Sequence, residues 1–292
     1  MTITLITGVN SGLGFATARK LLEEGYAVIG TVRDQAKSQV DLNVLQSIEN
    51  GKLTVFEMDL TSLESVQACA EKIIKAHEKI DILIFNAGIM TPPHSITENR
   101  FESQFQVNYL SHFYLFSLLQ EVLLNSETKK VISISSLSSE KGINATIANF
   151  EKDARCGAGN YDAMKSYRES KLAQVLFTAE LHNRFSKGGL KSYAVHPGVV
   201  NTNLFTKEYS ALAKALIQPL IWIGYAGGFL KTADKGAETA IYLATNDVQQ
   251  SGLYWANKKV RQHNPIADNQ EFLKVFWEWS QKNIQEALSD KN

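Results

Sequence analysis

Residues 3–14 read ITLITGVNSGLG: a short apolar run, then glycines at 8, 12 and 14. A continuous apolar run of this length suits a strand covered on both faces. Behind it, Leu13–Glu24 carries helical spacing and Gly25 marks its stop. Glycines between a strand and a helix let the backbone turn sharply and approach a pyrophosphate closely. The helix N-terminus adds free N–H groups and partial positive charge. The spacing is G-x3-G-x-G, not the general G-x-G-x-x-G. Three glycines alone would fit an empty tight turn, but their position between an N-terminal strand and a helix favours a dinucleotide.

The alternation continues along the chain. Strands are expected at Ile3–Thr7, Ala27–Thr31, Leu53–Glu57, Ile82–Phe85, Val131–Ser135, Lys191–His196 and Gly252–Trp255. Helical patterns cover Ser62–His77, with Thr61 and Glu64 spaced as a capping box, then Arg100–Leu124 and Ala163–Phe185. Strand and helix in alternation mean parallel pairing with right-handed crossovers. The expected fold is therefore an α/β, single-domain Rossmann-type doubly wound sheet of about seven strands, with ligands beyond the strands' carboxyl ends. Residues 1–257 form this domain. An apolar insertion at 206–231 is expected to act as a substrate lid, offering Leu212, Leu216, Ile217, Ile221, Trp222 and Phe229. Residues 258–292, with Trp277 and Trp279, form a C-terminal extension packed on the same domain. Glu140–Asp162 is a further long connection.

Composition narrows the function classes. The 292 residues are 44% apolar, and 30 Lys+Arg balance 30 Asp+Glu. A nucleic-acid binder normally carries a basic surplus. Cys69 and Cys156 have no zinc-site spacing and make no disulfide framework, so no metal and a reduced, cytoplasmic setting are expected. No basic leader precedes the first strand, so no signal peptide is expected. Ala211–Leu230 is apolar, but Lys214, Pro219, Gly224, Gly227 and Gly228 interrupt it, which favours a lid over a membrane span.

The second strand ends in Val32-Arg33-Asp34. An NAD site normally presents an acid about 20 residues after the glycines. Val32 stands there instead, and the Arg33 guanidinium suits a 2′-phosphate. Asp34 could still offer a carboxylate, so NADP(H) is preferred and NAD(H) stays open. At the chemical end, Tyr167 and Lys171 are four apart and share a helix face. Ser136 follows a strand, and Asn108 lies inside the long helix. Each residue alone is ordinary; together and in this order they are not.

In TGVNSGLG, Asn86-Ala87-Gly88, ISISS ending at Ser136, Tyr167-Arg168-Glu169-Ser170-Lys171 and His196-Pro197-Gly198, the sequence resembles the short-chain dehydrogenase/reductase family. TVRD, VNYLSHFYL and HPGVVNT are most similar to its retinol dehydrogenase-like branch. The resemblance implies hydride transfer between NADP(H) and a carbonyl or alcohol, here a small-to-medium apolar aldehyde or ketone. It implies that Tyr167 is the general acid/base, that Ser136 orients the reacting oxygen, and that Lys171 holds the nicotinamide ribose and lowers the tyrosine pKa. Asn108 would anchor a water in a proton relay. Gly8, Asn10, Ser11, Gly12, Leu13 and Gly14 would line the phosphates and nearby ribose. Arg33 would meet the 2′-phosphate, Asp59 the adenine, Asn86 the adenine ribose side, and Thr202 the nicotinamide or its phosphates. Leu60, Ala87, Gly88, Pro197, Gly198 and Val200 complete the cofactor set with Tyr167 and Lys171. The family commonly associates through the Arg100–Leu124 and Ala163–Phe185 helices, and the chain's additions could block this, so monomer and homodimer stay open. Two other readings are an NADP(H)-binding sensor with little turnover and a sugar-nucleotide epimerase. The epimerases carry a different glycine spacing and a larger C-terminal domain.

Overall fold

The computed structural model describes residues 1–140, 143, 145–155, 157–200 and 231–289. Thr202, Cys156 and the expected lid up to residue 230 lie outside the described residues. The strands are β1 Ile3–Thr7, β2 Ala27–Val32, β3 Lys52–Glu57, β4 Ile82–Phe85, β5 Lys130–Ile134, β6 Lys191–His196, β7 Leu253–Ala256 and β8 Lys259–Val260. They form one sheet in the order β3-β2-β1-β4-β5-β6-β7-β8. Pairing is parallel from β3 through β7, and only β7 and β8 run antiparallel. The order reverses between β1 and β4, which opens a crevice at their carboxyl ends. The expected seven strands become eight because a tight turn at Asn257 (φ +52°) and Lys258 (φ +59°) folds a two-residue strand back. That strand is too short to show a sequence period.

Helices cover both faces, as continuous apolar strands require. On one face lie α1 (Gly12–Glu23), α2 (Gln39–Gln46) and, late in the chain, Ala233–Thr245. On the other lie α3 (Leu63–Ala76), a long α4, α5 (Ile147–Ala154), α6 (Ala163–Phe185) and the C-terminal Gln270–Ser289. In chain order the last two are α7 (Ala233–Thr245) and α8 (Gln270–Ser289).

Two helix starts differ from the sequence reading. The cap of α3 is Ser62, not Thr61: Ser65 N–H donates to Ser62 Oγ, while Asp59 Oδ1 engages Thr61 through both N–H (2.9 Å) and hydroxyl (2.8 Å). The helix expected from Arg100 begins three residues later, because Arg100 sits at φ +63° and the Glu102 carboxylate caps Gln104 and Phe105 N–H. Helix α4 then runs Ser103–Phe105, passes through a π turn at Gln106–Leu110, and continues as Ser111–Leu124.

The β5 strand opens one residue early, on a buried lysine. Lys130 Nζ donates to the carbonyls of Leu243, Ala244 and Asn246, placing a cation at the negative end of α7. Burial pushes this amine down to about 8. Helix α8 crosses α4 and α6. Trp277 stacks on Phe177 (5.8 Å, 18°) and meets Phe113 edge-on, and Phe276 stacks on Tyr109. The aromatic faces of α4 and α6, the helices nominated for association, are thus covered by the chain's own C-terminal helix. Among the described residues no helix is long and apolar enough to cross a membrane, and no cluster of side chains could hold a metal.

Candidate active site

The nucleotide end is made of backbone. Gly8 (φ +74°) and Gly12 (φ +55°) take left-handed conformations that L side chains resist. Gly14 is tighter: an added Cβ would lie 1.9 Å from the Gly8 carbonyl oxygen and 2.4 Å from Asn86 Nδ2. Asn86 Nδ2 donates to the carbonyls of Thr7 (2.8 Å) and Gly8 (3.1 Å), locking β4 to the turn. Ser11 caps α1 in extended conformation and makes no side-chain hydrogen bond, so no serine oxygen occupies the first N–H groups of the helix. Such a cradle fits a phosphate. Val9 is buried, and Leu13 lies at the rim, half-buried.

Beside the turn, Asn10 Nδ2 donates to Ser38 Oγ (2.9 Å), and Ser38 donates to the Asp34 carbonyl (2.7 Å). Asp34 turns its carboxylate onto Lys37, which holds it below the usual carboxylate range. Arg33 is exposed. Asp59 and Leu60 follow β3; Asp59 is engaged with Thr61 as above, and the Leu60 carbonyl accepts from Ser111 Oγ (2.6 Å) and Gln106 Nε2 (3.3 Å). The π turn is therefore fastened to the Asp59–Leu60 loop.

The chemical end is made of side chains. Ser136 follows β5 and accepts from Ser138 N–H. Helix α6 starts where Asp162 caps Met164 and Lys165 N–H, which sets Tyr167 one turn inside and Lys171 one turn further. Burial raises the Tyr167 phenol, and the nearby Ser136 hydroxyl offsets part of that rise. Lys171 Nζ stands 5.8 Å from the Tyr167 ring centre and donates to Ile134 O (2.8 Å) and Gln174 Oε1 (3.1 Å). Its own burial brings it down to about 7.

Gly88 must be a glycine here, since a Cβ would meet Asn108 Oδ1 at 2.9 Å and Lys171 Nζ at 3.5 Å. The Asn108 side chain is fully committed: it accepts from Ile89 N–H (2.8 Å) and donates to Ile89 O (2.9 Å) and Ser170 Oγ (2.9 Å). Ser170 Oγ in turn donates to the Tyr167 carbonyl (2.8 Å). Asn108 thus clamps the Asn86–Ala87–Gly88–Ile89 segment.

Two histidines carry no assigned role in the sequence, although His196 opens the His196-Pro197-Gly198 motif. His196 Nδ1 accepts from Leu137 N–H (3.2 Å) and more weakly from Gly198 N–H (3.4 Å), so it joins the serine turn to the Pro197–Gly198 loop. Burial keeps it neutral, with its pKa near 4. His112 lies behind Thr7 and Asn108. Its signal in the sequence is only its spacing, four residues after Asn108. Val200 is buried and bridges Lys231, whose N–H donates to Val199 O (2.8 Å).

A family model for short chain dehydrogenases matches residues 2–148. The chain belongs to that family. Within it, the chain sits in the retinol dehydrogenase-like branch: retinol dehydrogenase 13 from Mus musculus is 34% identical over 291 residues, 98% of this chain and 84% of that protein. The fold recurs in NADPH-bound carbonyl reductase from chicken fatty liver (TM-score 0.66, 20% identity, 90% and 100% of the two chains). It recurs also in 3-oxoacyl-[acyl-carrier protein] reductase from Brucella melitensis in complex with NAD (TM-score 0.67, 19% identity, 91% and 97%). Helices α1 and α3, the glycine turn and Asn108 fall within the matched residues, while Tyr167 and Lys171 lie beyond them.

Proposed function

We propose that this oxidoreductase prefers NADP(H) and interconverts a small-to-medium apolar aldehyde or ketone with its alcohol, using Tyr167 as general acid/base. The observation that carries the reading is the placing of Tyr167 and a buried Lys171 one turn apart on α6, with Lys171 Nζ 5.8 Å from the phenol ring and donating to Ile134 O two residues before Ser136, at the strand ends where the glycine turn also lies. The nicotinamide, when bound, supplies or accepts the hydride. Gly8, Ser11, Gly12 and Gly14 would hold the phosphates of the dinucleotide, and Lys171 would hold its nicotinamide ribose. Ser136 and Tyr167 direct two hydroxyls at the carbonyl oxygen, where negative charge develops. A phenol raised by burial stays protonated at neutral pH and can give its proton to that oxygen. Lys171, poised near 7, can share in proton exchange as the phenol is spent and restored.

The NADP preference rests on Arg33, exposed at the end of β2, beside an Asp34 already engaged by Lys37. The apolar substrate class rests on Leu137, Met164 and Val199: these exposed apolar side chains stand next to Ser136, one turn before Tyr167 and next to Gly198. A buried Cys69 thiol, raised to about 11, suits a reducing cytoplasm.

The test is a panel of aldehydes and ketones with NADPH and with NADH, followed at the nicotinamide absorbance. Tyr167→Phe is expected to lower turnover by roughly 10²–10⁴-fold while NADPH still binds. A wild-type protein that binds NADPH but turns over no carbonyl or alcohol would favour a sensor, and a fully active Phe variant would remove Tyr167 from the chemistry.

A further inference from the structure

One buried line of hydrogen bonds joins the nucleotide end to the chemical end, and it passes through His112. Asn86 N–H and Ala87 N–H both donate to Thr7 Oγ1, each at 2.9 Å. With both acceptor positions of that hydroxyl taken, its own hydrogen goes to His112 Nε2, 3.0 Å away. Nε2 is therefore the acceptor of the ring. A neutral imidazole then carries its proton on Nδ1, which points to the Asn108 carbonyl at 3.1 Å. Two separate contacts thus fix a single tautomer.

The surroundings suit that role. His112 is 2% exposed and stacks on Phe85, the last residue of β4, at 5.0 Å and 29°. Burial holds its pKa near 4, and the Lys171 amine acts in the same direction. The Asn108 carbonyl belongs to the π turn, where Ser111 N–H reaches five residues back to Gln106 O. Such an offset disturbs the regular carbonyl ladder and is often found at functional sites. Thr7 holds Asn86 and Ala87, Asn108 holds Ile89, and His112 ties the two holders together. Asn86 continues to Gly8, and Asn108 continues through Ser170 to the carbonyl of Tyr167.

We propose that His112 is a positioning residue that couples the dinucleotide turn to the Asn108–Ser170–Tyr167 line, so that nucleotide affinity and the setting of the catalytic phenol depend on one ring. The kinetic part of this rests on the oxidoreductase reading; the nucleotide part does not.

Two substitutions separate the hydrogen bonds from the volume. His112→Phe keeps a ring against Phe85 and removes both bonds. His112→Gln can accept from Thr7 through its carbonyl and donate to Asn108 through its NH₂, with a donor–acceptor spacing close to that of the imidazole. For the Phe variant, NADPH Kd is expected to rise about tenfold and kcat to fall on the order of 10²-fold, with the Gln variant recovering most of both. A merely structural role would lower the melting temperature and leave Kd and kcat of the folded fraction unchanged; that result overturns the proposal. Equal impairment of the two variants also overturns it, since ring shape alone would then matter. If wild-type protein turns over no substrate, the oxidoreductase reading falls and the Kd comparison still decides the role of His112. If the Phe variant does not fold, ¹⁵N NMR of the wild-type imidazoles decides instead. An Nδ1–H ring still neutral at pH 6 is expected, and an Nε2–H or charged ring overturns the proposal.

Discussion

The two ends of the site are built from different materials. At residues 11–14 the groups proposed to meet the phosphates are backbone N–H donors, and Gly8, Gly12 and Gly14 matter by lacking a side chain. At Ser136, Tyr167 and Lys171 the backbone is ordinary helix and strand end, and the working groups are side-chain atoms in a poorly hydrated setting. The first kind of site is a constraint on shape and fails when a methyl group is added. The second is a constraint on electrostatics, and its fold should outlive the loss of its chemistry.

The sharpest way to break this contrast is Lys171→Met. The amine is buried and costly to keep, so a similar apolar chain should leave unfolding free energy within about 1 kcal/mol of wild type, or raise it. Turnover should still fall roughly 10²–10⁴-fold. Denaturant titration beside steady-state kinetics reads both, and a large stability loss with turnover intact would reverse the contrast. Gly14→Ala should do the opposite. Its methyl group meets backbone rather than a flexible chain end, so about 1–3 kcal/mol of stability is expected to go, together with measurable NADPH binding by calorimetry.

Acid sharpens the comparison further. His112 and His196 are both held neutral near pKa 4, against about 6.5 in an unfolded chain. Between those values the unfolded chain takes up protons that the folded one refuses, so stability should decline as pH falls from about 6.5 toward 4. The glycine turn, which has no titrating side chain, contributes nothing to that slope. Melting temperatures across this range are the measurement, and a flat profile would mean that neither ring is held as described. The smallest effect is expected from Arg33→Ala: about tenfold weaker NADPH with NADH unchanged.

The same contrast explains what could be read from sequence. Glycines, apolar runs and a tyrosine–lysine spacing are local patterns, and β1 through β7, the turn and the placing of Tyr167 and Lys171 on one helix follow from them. The π turn did not show, because QVNYLSHF lies in a stretch buried almost all round, where one inserted residue leaves no polar face out of register. His112 shows only as a spacing and His196 only as the first residue of a motif, because a histidine acquires its role from partners far away in sequence, such as Thr7 and Leu137. Lys130 was passed over at the start of β5 because a lysine there reads as surface; its three carbonyl partners come from more than a hundred residues later. The cap at Ser62 was misread by one position, because Thr61 is drawn off by Asp59.

The joined roots at Val200 and Lys231 carry a last consequence. Val200 and Lys231 stand side by side, so the chain between them is closed at its base whatever its length. Loop-closure entropy grows only with the logarithm of length, by about 0.6 kcal/mol per doubling. Changes of length between those two residues should therefore cost the sheet little stability.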